Sequence, residues 1–307
     1  MSFSVTILGS SSAKPTSGRH PSSQVVNIHE QYFLVDAGEG CQQQMFRYGI
    51  NPLKIRAVFI SHLHGDHLFG LFPMLSTLGL YGRKTSLKIY APHPFGEILE
   101  SHLKFFDKDL PYNIEWEEVD TTAHKLIFEN RTVEVWSLPL RHRLPTSGYL
   151  FKEKTPPLNV EKFKIEKYGL SIAQITAAKR GEDVELESGE VVPNALLTYL
   201  PHHPRSYAYI SDTSFSPPAA ERCQGVSLMY HEATYAHIEK KLARERGHST
   251  AVEAAKCALQ ASAQQLIIGH FSARYKDLQP LIIEARDVFS NSDLAIEGTT
   301  FNIDKQR

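Results

Sequence analysis

Four metal-competent side chains stand within six residues at His62-Leu63-His64-Gly65-Asp66-His67, directly after the apolar run Ile55-Arg56-Ala57-Val58-Phe59-Ile60. That run is rich in β-formers and reads as a strand, and a strand that ends there holds the loop rigidly while leaving its side chains free. Alternate residues of an extended loop point the same way, so His62 and His64 can meet one ion. Asp66 and His67, past the turn at Gly65, can face a second. Imidazole and carboxylate suit zinc and other first-row divalent ions. Imidazoles leave two dications unneutralised, so further carboxylates are required, and a bridging one is the usual way to hold two metals roughly 3.5–4 Å apart. The motif therefore demands a fold that gathers several strand ends around a metal pair, and it points to metal-assisted hydrolysis.

The rest of the chain has strand ends to offer. Strands are expected over 3–9, 23–28, 32–35, 55–60, 87–90, 132–138, 208–210, 226–230 and 266–268, and helices over 41–48, 94–106 and 250–262. Thr250 followed by Glu253 has capping-box spacing. Strands and helices alternate in both halves, which predicts a layered α/β domain, and 307 residues are compatible with one such unit. Three more candidate ligands sit where strands terminate: His142, Asp212 after Tyr207-Ala208-Tyr209-Ile210-Ser211, and His270 after Leu266-Ile267-Ile268-Gly269. They complete a set of seven, His62, His64, Asp66, His67, His142, Asp212 and His270, with Asp212 as the natural bridge.

Residues 152–205 break this rhythm, with no strong sheet pattern and an early Thr155-Pro156-Pro157. Their first part carries seven positive residues, Lys152, Lys154, Lys162, Lys164, Lys167, Lys179 and Arg180, against four negative, Glu153, Glu161, Glu166 and Glu182. A solvated insertion accounts for this, and so does an arm that grips a polyanion. The net charge of -1 excludes global attraction to nucleic acid, leaving a local patch or a metal site to do that work. Three scattered cysteines, Cys41, Cys223 and Cys257, fit a reducing compartment rather than a disulfide framework. The N-terminus has no secretory pattern and no apolar run approaches the roughly 20 residues that span a bilayer. A cytoplasmic enzyme is expected.

With these residues in place, the sequence resembles the ribonuclease Z family of tRNA 3′-end endonucleases within the metallo-β-lactamase superfamily. The superfamily motif HxHxDH is intact at His62–His67, and the later ligands match His142, Asp212 and His270. More specific signatures follow in order: His231-Glu232-Ala233-Thr234-Tyr235, His248-Ser249-Thr250 and His270-Phe271-Ser272-Ala273-Arg274-Tyr275. The opening Thr6–Ser10 and the segment Asp36-Ala37-Gly38-Glu39 also fit. The resemblance implies a four-layer αβ/βα sandwich with two zinc ions at one edge between its sheets. It implies that 152–205 is a flexible arm holding precursor tRNA, with Lys162, Lys164, Lys167, Lys179 and Arg180 as its contacts. It also implies a homodimer, and a product pair of tRNA 3′-hydroxyl and trailer 5′-phosphate. Two departures stand out: Tyr168–Gln174 replaces the Gly-Pro-rich arm tip, and Lys14–His20 lacks the usual arrangement of the early loop.

Site roles follow from this. Asp66 is the expected general base toward the attacking water, or else a ligand alone. His248 is the expected proton donor to the leaving 3′-oxygen, oriented and kept charged by Glu232; the other reading makes it a helix-start residue beside Thr250. Arg274 suits a phosphate through its planar fork, and equally a surface ion pair. His231 is expected to orient a metal ligand. Competing readings are a small-ester hydrolase of the same superfamily, which has little use for a basic arm, and a metal-free RNA-binding relative, which has no use for seven ligands. A flavodiiron-type oxidoreductase is disfavoured, since it wants a carboxylate where His64 stands.

Overall fold

The computed structural model describes residues 2–106 and 109–305. The chain opens with β1 (Phe3–Gly9), β2 (Ser23–Ile28), β3 (Gln31–Ala37), β4 (Ile55–Phe59), β5 (Leu87–Ala91) and β6 (Ile114–Glu118). It continues through β7 (Leu126–Glu129), β8 (Val133–Pro139) and β9 (Ser147–Glu153). Four two-residue strands follow, β10 (Asn159–Val160), β11 (Val184–Glu185), β12 (Val191–Val192) and β13 (Thr198–Tyr199). The last are β14 (Ser206–Ile210), β15 (Leu228–Glu232), β16 (Leu266–Gly269), β17 (Ser292–Leu294) and β18 (Thr300–Asn302). Two seven-stranded sheets result, in the orders β18-β1-β2-β3-β4-β5-β6 and β17-β16-β15-β14-β9-β8-β7.

The layering follows from period-2 side-chain alternation. Phe33 and Val35 of β3, Ala57 and Phe59 of β4, Tyr207 and Tyr209 of β14, and Leu228 and Tyr230 of β15 share one core between the sheets. The alternate residues face outward. Leu34 and Val58 pack under helices Cys41–Arg47, Leu71–Leu80 and Phe95–Phe105. Ala208, Ile210 and Met229 pack under Pro217–Arg222, Ala251–Gln260 and Gln279–Arg286. Helix, sheet, sheet, helix is the four-layer αβ/βα sandwich expected from the sequence. Among the described residues no helix is long and apolar enough to cross a membrane.

Parallel pairing converges on one edge. Strand β4 runs parallel to β3 and β5, and β15 parallel to β14 and β16, so loops leave the carboxyl ends of both parallel sets. The end of β4 is anchored by Phe59, whose ring lies among those of Phe33, Tyr90, Phe128, Tyr149 and Phe151 at centroid distances of 4.9–6.3 Å. Three residues later comes His62.

The segment expected to lack sheet pattern is more ordered than its composition suggests. Its start, Lys152 and Glu153, is the end of β9, and Arg205 directly precedes β14. Between them stand helices Lys162–Tyr168 and Ile172–Lys179, with β10 paired to β13 and β11 to β12. Ser171 and Gln174 form a capping box, and Leu170, Ala178, Val184, Val192 and Leu197 make a small core of their own. Both ends are tied by a buried ion pair. The Glu153 carboxylate accepts from Arg205 Nε at 3.0 Å and Nη2 at 2.6 Å, and lies 2.5 Å from His29 Nε2 in the β2–β3 turn.

Removing one member of a buried pair strands the other charge, which typically costs about 3–5 kcal/mol. Urea unfolding of Arg205→Met should show a loss of that order, while the double change Glu153→Leu/Arg205→Met should recover most of it. Equal losses in the two variants would show that the charges themselves are not what matters.

Candidate metal centre

Strand alternation and turn geometry deliver the site residues. His62 leaves β4 through Ser61, and His64 is the N-cap of the short helix Gly65–Leu68 that carries Asp66 and His67. His142 follows β8, Asp212 follows β14, Glu232 ends β15 and His270 follows β16. The structure brings all seven expected ligands together in two groups. His62 Nε2 and His64 Nδ1 stand 2.9 Å apart, and His142 Nε2 is 3.4 Å from His64 Nδ1. Asp212 Oδ2 faces this trio, 3.6 Å from His62 and 3.9 Å from His142. In the second group, His67 Nε2 and His270 Nε2 are 3.3 Å apart, with Asp66 Oδ2 at 3.6 and 3.4 Å from them. Asp212 Oδ1 completes it at 3.5 and 3.2 Å.

These spacings suit a metal. Ligands about 2.0–2.1 Å from a tetrahedral ion lie about 3.3 Å from each other. The hydrogen-bond network assigns the tautomers. Asp36 accepts from His67 Nδ1 at 2.7 Å and Gly247 O from His142 Nδ1 at 2.8 Å. Ser61 Oγ donates to Asp36, so it accepts from His62 Nδ1 at 3.0 Å. Thr234 Oγ1 donates to Glu232, so it accepts from His270 Nδ1 at 2.8 Å. With the rings neutral, each of the four has its Nε2 lone pair available to a cation in the cluster. Asp212 Oδ1 is buried with no hydrogen-bond donor. Nitrogen lone pairs and carboxylate oxygens that converge in this way are a donor set that a cation satisfies. The donor set fits one or more divalent ions.

Electrostatics support the same picture. Burial, reinforced by neighbouring imidazoles, depresses the pKa of His62, and burial depresses those of His64 and His142, which keeps them neutral and able to ligate. Burial works against the charge on Asp66, but His67 and His270 outweigh it and hold the carboxyl well below its usual range. Burial also opposes a charge on His67, yet Asp212, Asp36 and Asp66 push it up to about 10. A cation bound among those carboxylates displaces that proton.

Glu232 is buried and accepts from Thr213 N at 3.1 Å, Ser249 N at 2.9 Å, Thr234 N at 2.9 Å and Thr234 Oγ1 at 2.7 Å. It also lies 3.1 Å from His248 Nδ1. Burial disfavours the imidazolium, but Glu232 and Asp212 raise His248 to about 9. An imidazole that is charged at neutral pH therefore borders a cavity of about 490 Å³, which His64, Asp66 and Asp212 also line.

Comparison with known proteins decides the family. A family profile described as "Anti-Pycsar protein Apyc1" matches residues 3–134. The Ribonuclease Z of Parabacteroides distasonis is 42% identical over 301 residues, covering 98% of this chain and 99% of that protein. The chain belongs to the ribonuclease Z family. Among solved structures, human tRNase Z short form superposes with a TM-score of 0.71 at 24% identity, covering 98% of this chain and 99% of that one. The metallo-β-lactamase fold protein YhfI of Bacillus subtilis gives 0.69 at 17%, covering 98% of each. These likenesses show the fold, the metallo-β-lactamase fold.

Other expected residues of this ribonuclease Z chain lie elsewhere. Arg274 is at the surface, paired with Glu239 Oε1 at 3.0 Å and stacked over Tyr235 at 5.1 Å; Tyr235 in turn lies 6.0 Å from His248. Lys162, Lys164, Lys167, Lys179 and Arg180 sit on the inserted segment and do not line the catalytic cavity. Lys167 stacks on Tyr168 and Arg180 pairs with Glu182 at 2.7 Å. His231 is a correction. Alternation along β15 turns it away from Glu232, its Nδ1 meets Glu232 O at 2.6 Å, and its Nε2 is buried without a partner. It contacts no candidate ligand among the described hydrogen bonds.

Sequence reading missed the supporting residues Asp36, Ser61, Thr234 and Tyr209, and the backbone N–H of Ala13, which donates to Asp66 Oδ2 at 2.6 Å. Asp36 offered a signal, as an acid at a strand end. Tyr209 offered none, because its link to Asp36 at 2.6 Å spans 173 residues. Groups that orient ligands typically carry 10–100-fold in metal affinity. Chelator competition on Asp36→Asn should register a loss of about that size, and unchanged metal retention would remove Asp36 from the site.

Proposed function

We propose that the chain is a zinc-dependent endoribonuclease that removes the 3′ trailer from precursor tRNA, leaving a tRNA 3′-hydroxyl and a trailer 5′-phosphate. The reading is carried by one juxtaposition: the Glu232–His248 pair stands 3.9 Å from the oxygen of Asp212 that faces the first ligand group. Full-length likeness to Ribonuclease Z of Parabacteroides distasonis supports it. His62, His64, His142 and Asp212 would hold one zinc and Asp66, His67 and His270 the other, with one oxygen of Asp212 facing each group. What bound zinc supplies is Lewis acidity, which lowers the pKa of water and neutralises a phosphoryl oxygen.

The chain's own residues do the rest. Asp66 accepts the proton of the attacking water as its oxygen joins phosphorus. His248 delivers a proton to the 3′-oxygen as the P–O3′ bond breaks, and Glu232 keeps that imidazole aimed and charged. Buried walls of β4, β14 and β15 fix the geometry.

The inserted segment is read as the tRNA-holding arm. Over all of 152–205, Lys152, Lys154, Lys162, Lys164, Lys167, Lys179, Arg180 and Arg205 are balanced by Glu153, Glu161, Glu166, Glu182, Asp183, Glu185, Glu187 and Glu190. The charges are segregated, though: Lys162, Lys164 and Lys167 share one helix, while Asp183–Glu190 forms an acidic hairpin. The helix is the face for phosphates. A tRNA substrate also fits a cytoplasmic setting with Cys41, Cys223 and Cys257 unpaired.

A small-phosphodiester hydrolase is the second reading, favoured by the cavity of about 490 Å³ beside the candidate ligands, whose lining includes no residue of the inserted segment. A zinc-loaded sample given precursor tRNA with a 3′ trailer separates the two. Wild type should cut next to the discriminator base, Asp66→Ala should be inactive, and His248→Ala should lose about 10²–10⁴-fold in kcat. Replacing 157–201 by a short Gly-Ser link should raise KM for the precursor by more than it impairs a small diester. Rapid turnover of the small diester with no cut in the precursor would select the second reading.

The homodimer is also proposed, with a second copy covering the groove of about 430 Å³ lined by Phe72, Ile98, His102, Phe105 and Phe106, where Phe105 and Phe106 are more than two-thirds exposed. Sedimentation should give a dimer for wild type and a monomer for Phe105→Asp. A wild-type monomer at micromolar concentration would refute it.

A further inference from the structure

The superfamily motif leaves its fourth position open, and in this chain Gly65 fills it for a reason visible in the structure. A Cβ on Gly65 would fall 2.4, 2.7 and 2.8 Å from Cε2, Cζ and Cδ2 of Phe69. Gly65 has no left-handed φ, so the backbone does not require glycine there; the ring does. Phe69 ends the turn that Gly65 begins, with its N–H donating to Gly65 O at 2.9 Å. One face of the ring is thus pressed on the backbone between two metal ligands. The rest is open, for Phe69 is 64% exposed. The open part lines the cavity that holds Asp66, Asp212, His64 and His248, where among the described residues Phe69 is the only side chain, apart from the imidazoles, with an aromatic face.

A large apolar ring that stands mostly exposed on the wall of a cavity shared with carboxylates and imidazoles suits a partner with a π-face. Nucleobases are such partners, and they stack on aromatic side chains with little regard for sequence. A phosphate bound beside Asp66 and Asp212 would have its base one sugar away, and Phe69 lines the same cavity as those carboxylates. We propose that Phe69 is the stacking platform for the nucleobase next to the scissile phosphate, and that it makes the site select nucleotide diesters over base-free ones. The proposal rests on the endoribonuclease reading above. It adds a specificity-determining residue outside the ligands, the proton donor and the arm.

The test compares two inhibitors of the zinc-loaded enzyme, adenosine 5′-monophosphate and ribose 5-phosphate, which share sugar and phosphate and differ in the base. In wild type the nucleotide should bind more tightly, and the ratio of the two inhibition constants should fall by about tenfold in Phe69→Ala and Phe69→Leu. Because the ratio is internal to each variant, a general loss of metal or affinity cancels. Phe69→Trp should keep the ratio, and its indole fluorescence should be quenched by adenosine 5′-monophosphate but not by ribose 5-phosphate. A ratio near one in wild type, a ratio untouched by Phe69→Ala, or an indole that the nucleotide does not quench would each overturn the proposal. Failure of wild type to cut precursor tRNA would end the tRNA reading instead, so the two can fail separately.

Discussion

Fold and site meet at the carboxylate of Asp36. It sits at the end of β3 and is fully buried. Ser61 N donates to it at 2.7 Å and Ser61 Oγ at 2.8 Å, from the end of β4. His67 Nδ1 reaches it at 2.7 Å from the motif loop, and Tyr209 Oη at 2.6 Å from β14 of the opposite sheet. One side chain thus ties both sheets to the loop that carries the ligands. A buried carboxylate without donors is costly, and with four it is a rigid junction. Its backbone accepts an uncommon φ of 54°, a conformation that persists only where the surroundings over-determine it.

That junction lies in a region dense in buried acid. Asp36, Asp66, Asp212 and Glu232 converge on one edge, each mostly or wholly out of water. Imidazoles alone meet this concentration of carboxylate by taking up protons, which is why His67 is pushed up to about 10 and His248 to about 9. The two differ in kind. His67 has Asp36 behind it and Asp66 and Asp212 in front, so its extra proton occupies the place where a cation belongs. His248 has Glu232 behind it and the cavity in front, so its proton is available to a substrate. Divalent ions would remove the first proton and leave the second.

How much of this was legible depends on the distance over which information must travel. The motif 62–67, the strand before it and the capping box at Thr250 are local, and they were read from adjacent residues. The sequence pattern predicts a strand over 226–230, two residues early, since Val226 and Ser227 look like strand but precede the pairing of Leu228 with Tyr207. The last residue of β15 is consequently Glu232, and alternation then sends His231 to the opposite face. Asp36–Tyr209 and Thr234–His270 were invisible because they depend on which strand ends become neighbours. The grouping of ligands was legible through resemblance. Its geometric basis, one Asp212 oxygen per group, needed the structure.

The inserted segment 152–205 shows how an ordered element can be added to such a fold without disturbing the site. Its own core of Leu170, Ala178, Val184, Val192 and Leu197 means that its order does not draw on the two sheets. Its only covalent entries are Glu153 and Arg205, adjacent through the β9–β14 ladder, where Ser206 pairs with Lys152. A buried Glu–Arg pair at that point is a poor source of net stability but a strong constraint on direction, since both charges are satisfied in one arrangement only. Arg205 also donates to Ile303 O at 2.8 Å, joining the arm root to the chain end beside β18. The root of the segment is thus fixed to both sheets, while the helices beyond it pack on a core of their own.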